Sequence, residues 1–273
     1  MYAHVEKPKK RHEIRLMFGK MYYRLKRYMQ WLCGSTKFAR QQKLAKFDYQ
    51  HFSHKTPLFR KLKDVDMHLQ HNKVVNLKIA VSKLNGTILY PGETFSYWKL
   101  IGKPTKRKGY VEGMLLKSGS VHVGIGGGLC QLSNLIYWMT VHTPLTVIER
   151  HRHGYDVFPD SNRTQPFGSG ATCFYNYVDL MIRNDTNQPF QLLLTIDDRD
   201  LKGAWNSDKA LDYRYEVYEK EHIFRTEYWG GYTRHNLIFR KKYDLNNVII
   251  ADEFVVENHA IMMYEPLLPE NTA

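Results

Sequence analysis

Cys130 is the residue of this chain whose neighbours best equip it for chemistry. It follows Gly126-Gly127-Gly128-Leu129 and opens an apolar-periodic segment, so a glycine run delivers a thiol to the start of a helix. Glycine permits positive φ and close approach of the backbone to a ligand. The first turn of a helix presents unpaired N–H groups and the positive end of the dipole. A thiolate there is stabilised, which predicts a lowered pKa and a nucleophilic sulfur near neutral pH. The same N–H groups suit an oxyanion, with Gln131 or Ser133 as a further donor. The base would come from Glu149-Arg150-His151-Arg152-His153-Gly154-Tyr155-Asp156. On a strand, His151 and His153 share one face, and Arg150 and Arg152 the other. His153 or His151 would take the thiol proton, and Glu149, Asp156 or Asp160 would orient the imidazole.

The same residues admit a non-catalytic reading. Gly126, Gly127 and Gly128 at a helix start suit a phosphate or carboxylate. Ser133, Arg150 and the basic loop Lys106-Arg107-Lys108 would assist. They equally suit a tight strand-to-helix turn, with Cys130 a small buried side chain. Cys130, His151 and His153 could supply three zinc ligands, but no CxxC or HExxH pattern accompanies them, so neither metal nor cofactor is expected. Cys33 and Cys173 lack such surroundings and read as structural.

The elements that must position these groups read as α+β, with helices early and an antiparallel sheet late. Helical periodicity marks residues 73–84 and 130–141. Short strands fit 87–90, 121–125, 145–148 and 155–158, and the aromatic stretch 95–100 reads as extended. Beyond Ala171 the pattern is mostly β: 172–177, 178–183, 190–196, 212–218, 223–228, 236–240 and 248–256, with turns at Trp229-Gly230-Gly231 and Asp244-Leu245-Asn246-Asn247. The acidic run Asp197-Asp198-Arg199-Asp200 reads as a seam.

Length and composition bound the rest. The 273 residues are 43% hydrophobic and 25% charged, which fits a globular chain able to bury a core. Three cysteines are too few for a disulfide framework, which points to the cytosol. No apolar run approaches the length of a membrane span. The net charge of +13 is uneven, because residues 1–63 hold 17 Lys and Arg against three acids. We therefore expect a basic amphipathic helical segment over 1–63, a central domain over 64–196 and a β-rich extension over 197–273. Within the first, residues 12–32 place Ile14, Met17, Phe18, Met21, Leu25, Tyr28 and Leu32 on one helical stripe. That helix could pack on the body, lie on an anionic membrane surface, or neutralise phosphates. No nucleic-acid reading module accompanies it, so no specific nucleic acid is expected as a partner.

Several short stretches in order carry a family resemblance. They are Asn85-Gly86, Pro91-Gly92-Glu93-Thr94-Phe95-Ser96, Gly102 with Gly109-Tyr110, Gly126 to Gln131, Asn134-Leu135-Ile136-Tyr137, His142-Thr143-Pro144-Leu145, Glu149-Arg150 with His153, and Asp179-Leu180 before Arg183-Asn184. Residues 72 to 195 thereby resemble the VanW family, whose namesake is an accessory protein of glycopeptide-resistance clusters. The resemblance implies an accessory role in VanB-type vancomycin resistance, within peptidoglycan and cell-envelope metabolism. One version is a thiol-dependent hydrolase or acyltransferase in which Cys130 takes the acyl group and His153 acts as base. The other is a non-catalytic module that holds an anionic peptidoglycan precursor, or a partner resistance protein, near the membrane. A cytoplasmic protein peripheral to the inner face of the membrane suits either. Family members commonly carry Ser after the His that aligns with His153, where this chain has Gly154. They often carry Asp before the Ala-Thr pair, where it has Gly170 before Ala171-Thr172. If that Asp belongs to a catalytic set, this chain has lost it or uses another acid, for which Asp156, Asp160 and Asp179 are candidates.

Overall fold

The computed structural model describes residues 5–6, 9, 12–59, 66–117, 119–157 and 165–265. In chain order the elements are α1 (Glu13–Cys33), β1 (Tyr49–Pro57), α2 (Met67–Leu84), β2 (Thr87–Leu89), β3 (Thr94–Ser96) and α3 (Tyr97–Ile101). A single 3-10 turn at Lys106–Lys108 leads to β4 (Glu112–Lys117), β5 (Ser120–Ile125), α4 (Cys130–Thr140), β6 (Thr146–Glu149) and β7 (Tyr155–Asp156). Then follow β8 (Met181–Arg183), β9 (Phe190–Ile196), β10 (Asp200–Ser207), β11 (Tyr213–Thr226), β12 (Tyr232–Asp244) and β13 (Ile249–Met262). The architecture is α+β, as the pattern predicts.

The strands form a sheet in the order β1-β10-β9-β2, a second in the order β11-β12-β13-β7, a small sheet β3-β8-β6 and the hairpin β4-β5. The first sheet carries the core. Leu77, Ala80 and Leu84 of α2 and Leu132, Leu135, Ile136 and Met139 of α4 pack with Phe190, Leu192, Leu194 and Trp205. Trp205 Nε1 donates to Thr140 Oγ1 at 3.1 Å, so the one polar atom of that ring has a partner inside the core. Helix α2 starts earlier than its apolar periodicity suggests because Asp66 caps it, accepting from His68 N at 2.8 Å. The stretch expected to be extended at 95–100 divides instead. Ser96 Oγ accepts from Lys99 N at 3.2 Å and starts one short helix, which ends at Gly102 with φ of 72°.

Two expectations about organisation are revised. Residues 49–57, inside the segment read as helical, form β1, which pairs antiparallel with β10 from Tyr49↔Ser207 to Pro57↔Asp200. β1 is an edge strand whose residues are mostly exposed or half-buried, so it lacks the apolar alternation that marks a strand in sequence. The acidic run is the tight β9–β10 connection, where Asp197 Oδ1 accepts from Arg199 N and Asp200 N at 2.9 and 2.7 Å. One sheet thus joins residues from all three expected segments. The two strands read at 212–218 and 223–228 are a single strand, β11, interrupted by a bulge between Glu219 and Glu221. Of the stretches 172–177 and 178–183 only Met181–Arg183 is a strand, because Phe174 and Val178 bridge each other across a tight loop.

Candidate functional site

Helix α4 begins at Cys130, as its glycine run predicts. The glycines serve packing within the chain. Gly126 and Gly128 have φ of 77° and 90°, which only glycine adopts freely. A Cβ on Gly127 would overlap the carbonyl of Gly113, and one on Gly128 would overlap the side chain of Lys73. Five N–H groups around this turn are committed within the chain. Gly126 N donates to Val111 O at 3.0 Å, Gly127 N to Gly124 O at 3.1 Å and Gly128 N to Met114 O at 2.8 Å. Gln131 N and Leu132 N donate to Gly128 O and Leu129 O, each at 3.1 Å. From α2, Asn76 Nδ2 donates to Gly127 O at 2.9 Å and locks the run in place. Gly126, Gly127 and Gly128 thus form a tight strand-to-helix turn, with their N–H groups turned to backbone carbonyls and not to a ligand.

The thiol also departs from expectation. Cys130 Sγ lies 3.8 Å from Thr172 Oγ1 and 3.9 Å from Cys173 O. Burial pushes its pKa up, against those hydrogen bonds, where a helix start alone would have lowered it. These two oxygens, and neither imidazole, are the hydrogen-bond partners of the thiol. His151 Nε2 pairs with Glu149 Oε1 at 3.0 Å. His153 is half-buried, and burial together with the Arg150 charge lowers its pKa. Gln131 Nε2 turns toward β1 and donates to Thr56 Oγ1 and Pro57 O at 2.9 Å each. Ser133 Oγ donates to Cys130 O at 3.1 Å and Ala171 O at 2.7 Å.

The expected orienting and binding groups hold the fold together. Arg150 Nε donates to Gly170 O at 2.8 Å, Nη1 donates to Asn258 Oδ1 at 3.0 Å, and Nη2 reaches Gly168 O. Asp156 accepts from Arg234 Nη1 at 3.1 Å and from Tyr264 O–H at 2.8 Å. Asp160 lies outside the described residues. Glu149 accepts from Arg27 Nη2 at 2.7 Å and from Asp179 N at 3.1 Å. Burial opposes its ionisation, yet His151 and Arg27 together hold its pKa below the usual value. Asp179 is fully enclosed, and burial pushes its pKa up to about 7. Its carboxylate accepts from Ser96 Oγ at 2.6 Å, Trp98 N at 3.0 Å and Leu180 N at 2.9 Å. Among the described residues no group of three or more His, Cys, Asp and Glu side chains converges to hold a metal ion.

The sequence does put Arg152 and His153 together, in a pocket of about 250 Å³ that Tyr155, Thr172, Phe174 and Leu116 help to line. Arg152 Nη2 contacts His259 Nε2, and Nη1 reaches Glu257 O at 3.5 Å, so β13 holds the guanidinium in place. The backbone of Thr172 bridges to that of His151, with Thr172 N donating to His151 O at 2.8 Å. That bridge brings the wall of the pocket against Cys130. The pocket is lined by a cation, an imidazole and hydroxyl-bearing side chains beside an aromatic ring, which suits a carboxylate on a partly apolar ligand. Sequence reasoning did not assign a role to Arg152, Thr172 or Arg27. Arg152 was visible in the alternation with His153. Arg27 was hidden among the other cations of the arm, and Thr172 gave no signal.

Residues 72–206 match the family model described as VanW like protein, and the chain belongs to the VanW family through this domain. It is 41% identical over 152 residues to the vancomycin B-type resistance protein VanW of Enterococcus faecalis, a match covering 56% of this chain and 55% of that protein. It is 28% identical over 114 residues to the uncharacterized protein YoaR of Bacillus subtilis, covering 42% of this chain and 36% of that one. The chain thus spans about half or less of the length of these curated relatives. No solved structure matches it.

Proposed function

We propose that the protein is an accessory factor in glycopeptide resistance that binds an anionic peptidoglycan precursor and does not process it. The likeness to the Enterococcus resistance protein supports the setting. The pocket around Arg152 carries the binding reading. It presents a positioned cation without a paired nucleophile and base, since the Cys130 thiol faces Thr172 and the Cys173 carbonyl. A nucleophilic cysteine needs its thiolate populated near neutral pH, and burial opposes that. The precursor would be met at the inner face of the membrane.

The test combines binding with thiol reactivity. Titration with a peptidoglycan stem peptide should give an affinity that Cys130→Ser leaves unchanged. Arg152→Ala should weaken it about 10- to 100-fold, the worth of one charge-assisted hydrogen bond. An alkylating reagent should label the exposed Cys33 ahead of Cys130, and the buried Cys173 last. Preferential labelling of Cys130, with resistance abolished in a folded Cys130→Ser variant, would return the protein to the thiol-enzyme class.

A further inference from the structure

Helix α1 presents its apolar side outward. Along its 21 residues only Arg27 is buried, with Gly19 and Trp31 half-buried. The body holds it by one side. Arg27 reaches Glu149, Tyr23 stacks on Tyr177 with centroids 5.9 Å apart, and Tyr28 O–H meets Tyr175 O–H at 2.9 Å. At 100° per residue the opposite side collects Ile14, Phe18, Met21, Leu25, Met29 and Leu32. These are exposed by 53% to 80% of their surface, a contiguous apolar area on the order of several hundred Å². Apart from Tyr28, the stripe legible in the sequence is therefore not the face that packs on the body. Cations flank it on both edges, with Arg15 and Lys26 along one and Arg24 along the other.

We propose that this face seats α1 in the plane of an anionic lipid surface. An apolar stripe rimmed by Lys and Arg, on a helix whose other side is bolted to a folded body, has the amphipathic form of an in-plane anchor. Acidic head groups complement the flanking cations, each of which contributes to attraction within a Debye length. The rest of the arm adds to it, since residues 1–63 hold 17 Lys and Arg against three acids. Among the described residues no helix is long and apolar enough to cross a membrane, so α1 would lie on the surface.

The test uses the full chain and co-sedimentation with phosphatidylcholine vesicles, with and without phosphatidylglycerol. Binding should require the anionic lipid and weaken as salt rises. The double variant Phe18→Ser with Leu25→Ser removes two exposed side chains. It should keep the parent melting temperature and lose vesicle affinity by on the order of 100-fold. Lys26→Glu should weaken binding and flatten its salt dependence. Stem-peptide binding should survive the double variant, which separates this surface from the Arg152 pocket. Undiminished vesicle binding by the double variant, or none by the parent chain, would overturn the proposal. So would a dimer in gel filtration that the double variant dissolves without vesicle binding in either protein, because the face would then belong to a second copy.

Discussion

Asp179→Asn should abolish the effect of pH on stability at one site. Asp179 is enclosed, and its pKa is pushed up from 3.8 to about 7 by burial, with the Glu149 charge adding to it and Ser96, Trp98 and Arg27 opposing. A carboxylic acid whose pKa is higher folded than unfolded binds protons more tightly in the folded state. Its contribution is fully present below the unfolded value and is lost as pH rises through the folded one. The shift of about 3 units corresponds to about 4 kcal/mol at 1.36 kcal/mol per unit. Between pH 5 and 8 about two of those units fall in the window, so about 3 kcal/mol separates the ends. Asparagine is nearly isosteric and does not titrate. Its amide must donate to Ser96 Oγ, which loses its present acceptor, at a cost of about 1 kcal/mol. The variant should match the parent near pH 5 and exceed it by about 2–3 kcal/mol at pH 8. Urea melts of both proteins across that range give the difference directly. Histidines whose pKa burial lowers, such as His153 and His142, tilt stability the other way but are common to both chains. A difference flat to within about 0.5 kcal/mol from pH 5 to 8 would refute the reasoning.

Two further outcomes follow from contacts already described. Arg27→Met removes the buried cation facing Glu149 and should cost about 2–3 kcal/mol, below the full value for a buried pair because the Glu149 side chain is 21% exposed. A lowered melting temperature and faster proteolysis within α1 would register it. Gly127→Ala drives a methyl into the Gly113 carbonyl and should destabilise by about 2–4 kcal/mol, whereas Gly154→Ser, with no atom within 4 Å of the new Cβ, should stay within about 0.5 kcal/mol. Thermal melts of the pair check both.

Legibility from sequence followed the strength of each local signal. The helix at Cys130 and the strand at Phe190–Ile196 are strongly periodic and lie where the pattern puts them. β1 escaped because an edge strand need not alternate, and β10 because its polar residues Asn206 and Ser207 are buried through hydrogen bonds that sequence does not display. The glycine run was read as a device for close approach to a ligand, whereas Gly127 lies against Gly113 and Gly128 against Lys73. The His-X-His segment was expected to bring an imidazole to the thiol, whereas His151 bridges Thr172 through its backbone and the thiol meets Thr172 Oγ1 and Cys173 O. Which atom faced the sulfur depended on the side-chain directions of a segment beyond any regular element. Arg27 shows the limit most plainly. Five cations in α1 are alike in sequence, and only the buried Glu149 distinguishes one of them.

The pairing of β1 with β10 has a consequence for how the chain is made. Tyr49 meets Ser207, so the edge strand waits on the ribosome for roughly 150 residues before its partner exists. At ordinary synthesis rates that interval is about 8–30 s. Throughout it the basic arm and the outward apolar side of α1 are already outside the exit tunnel, while the sheet that will anchor residues 49–57 has not formed. A nascent chain in that state meets any acidic surface with its arm before it has a body. Once β10 arrives, β1 covers a strand edge that would otherwise be open to other chains. Removing residues 1–63 would therefore strip more than charge. It would leave β10 as a bare template, and the shortened protein should associate through it.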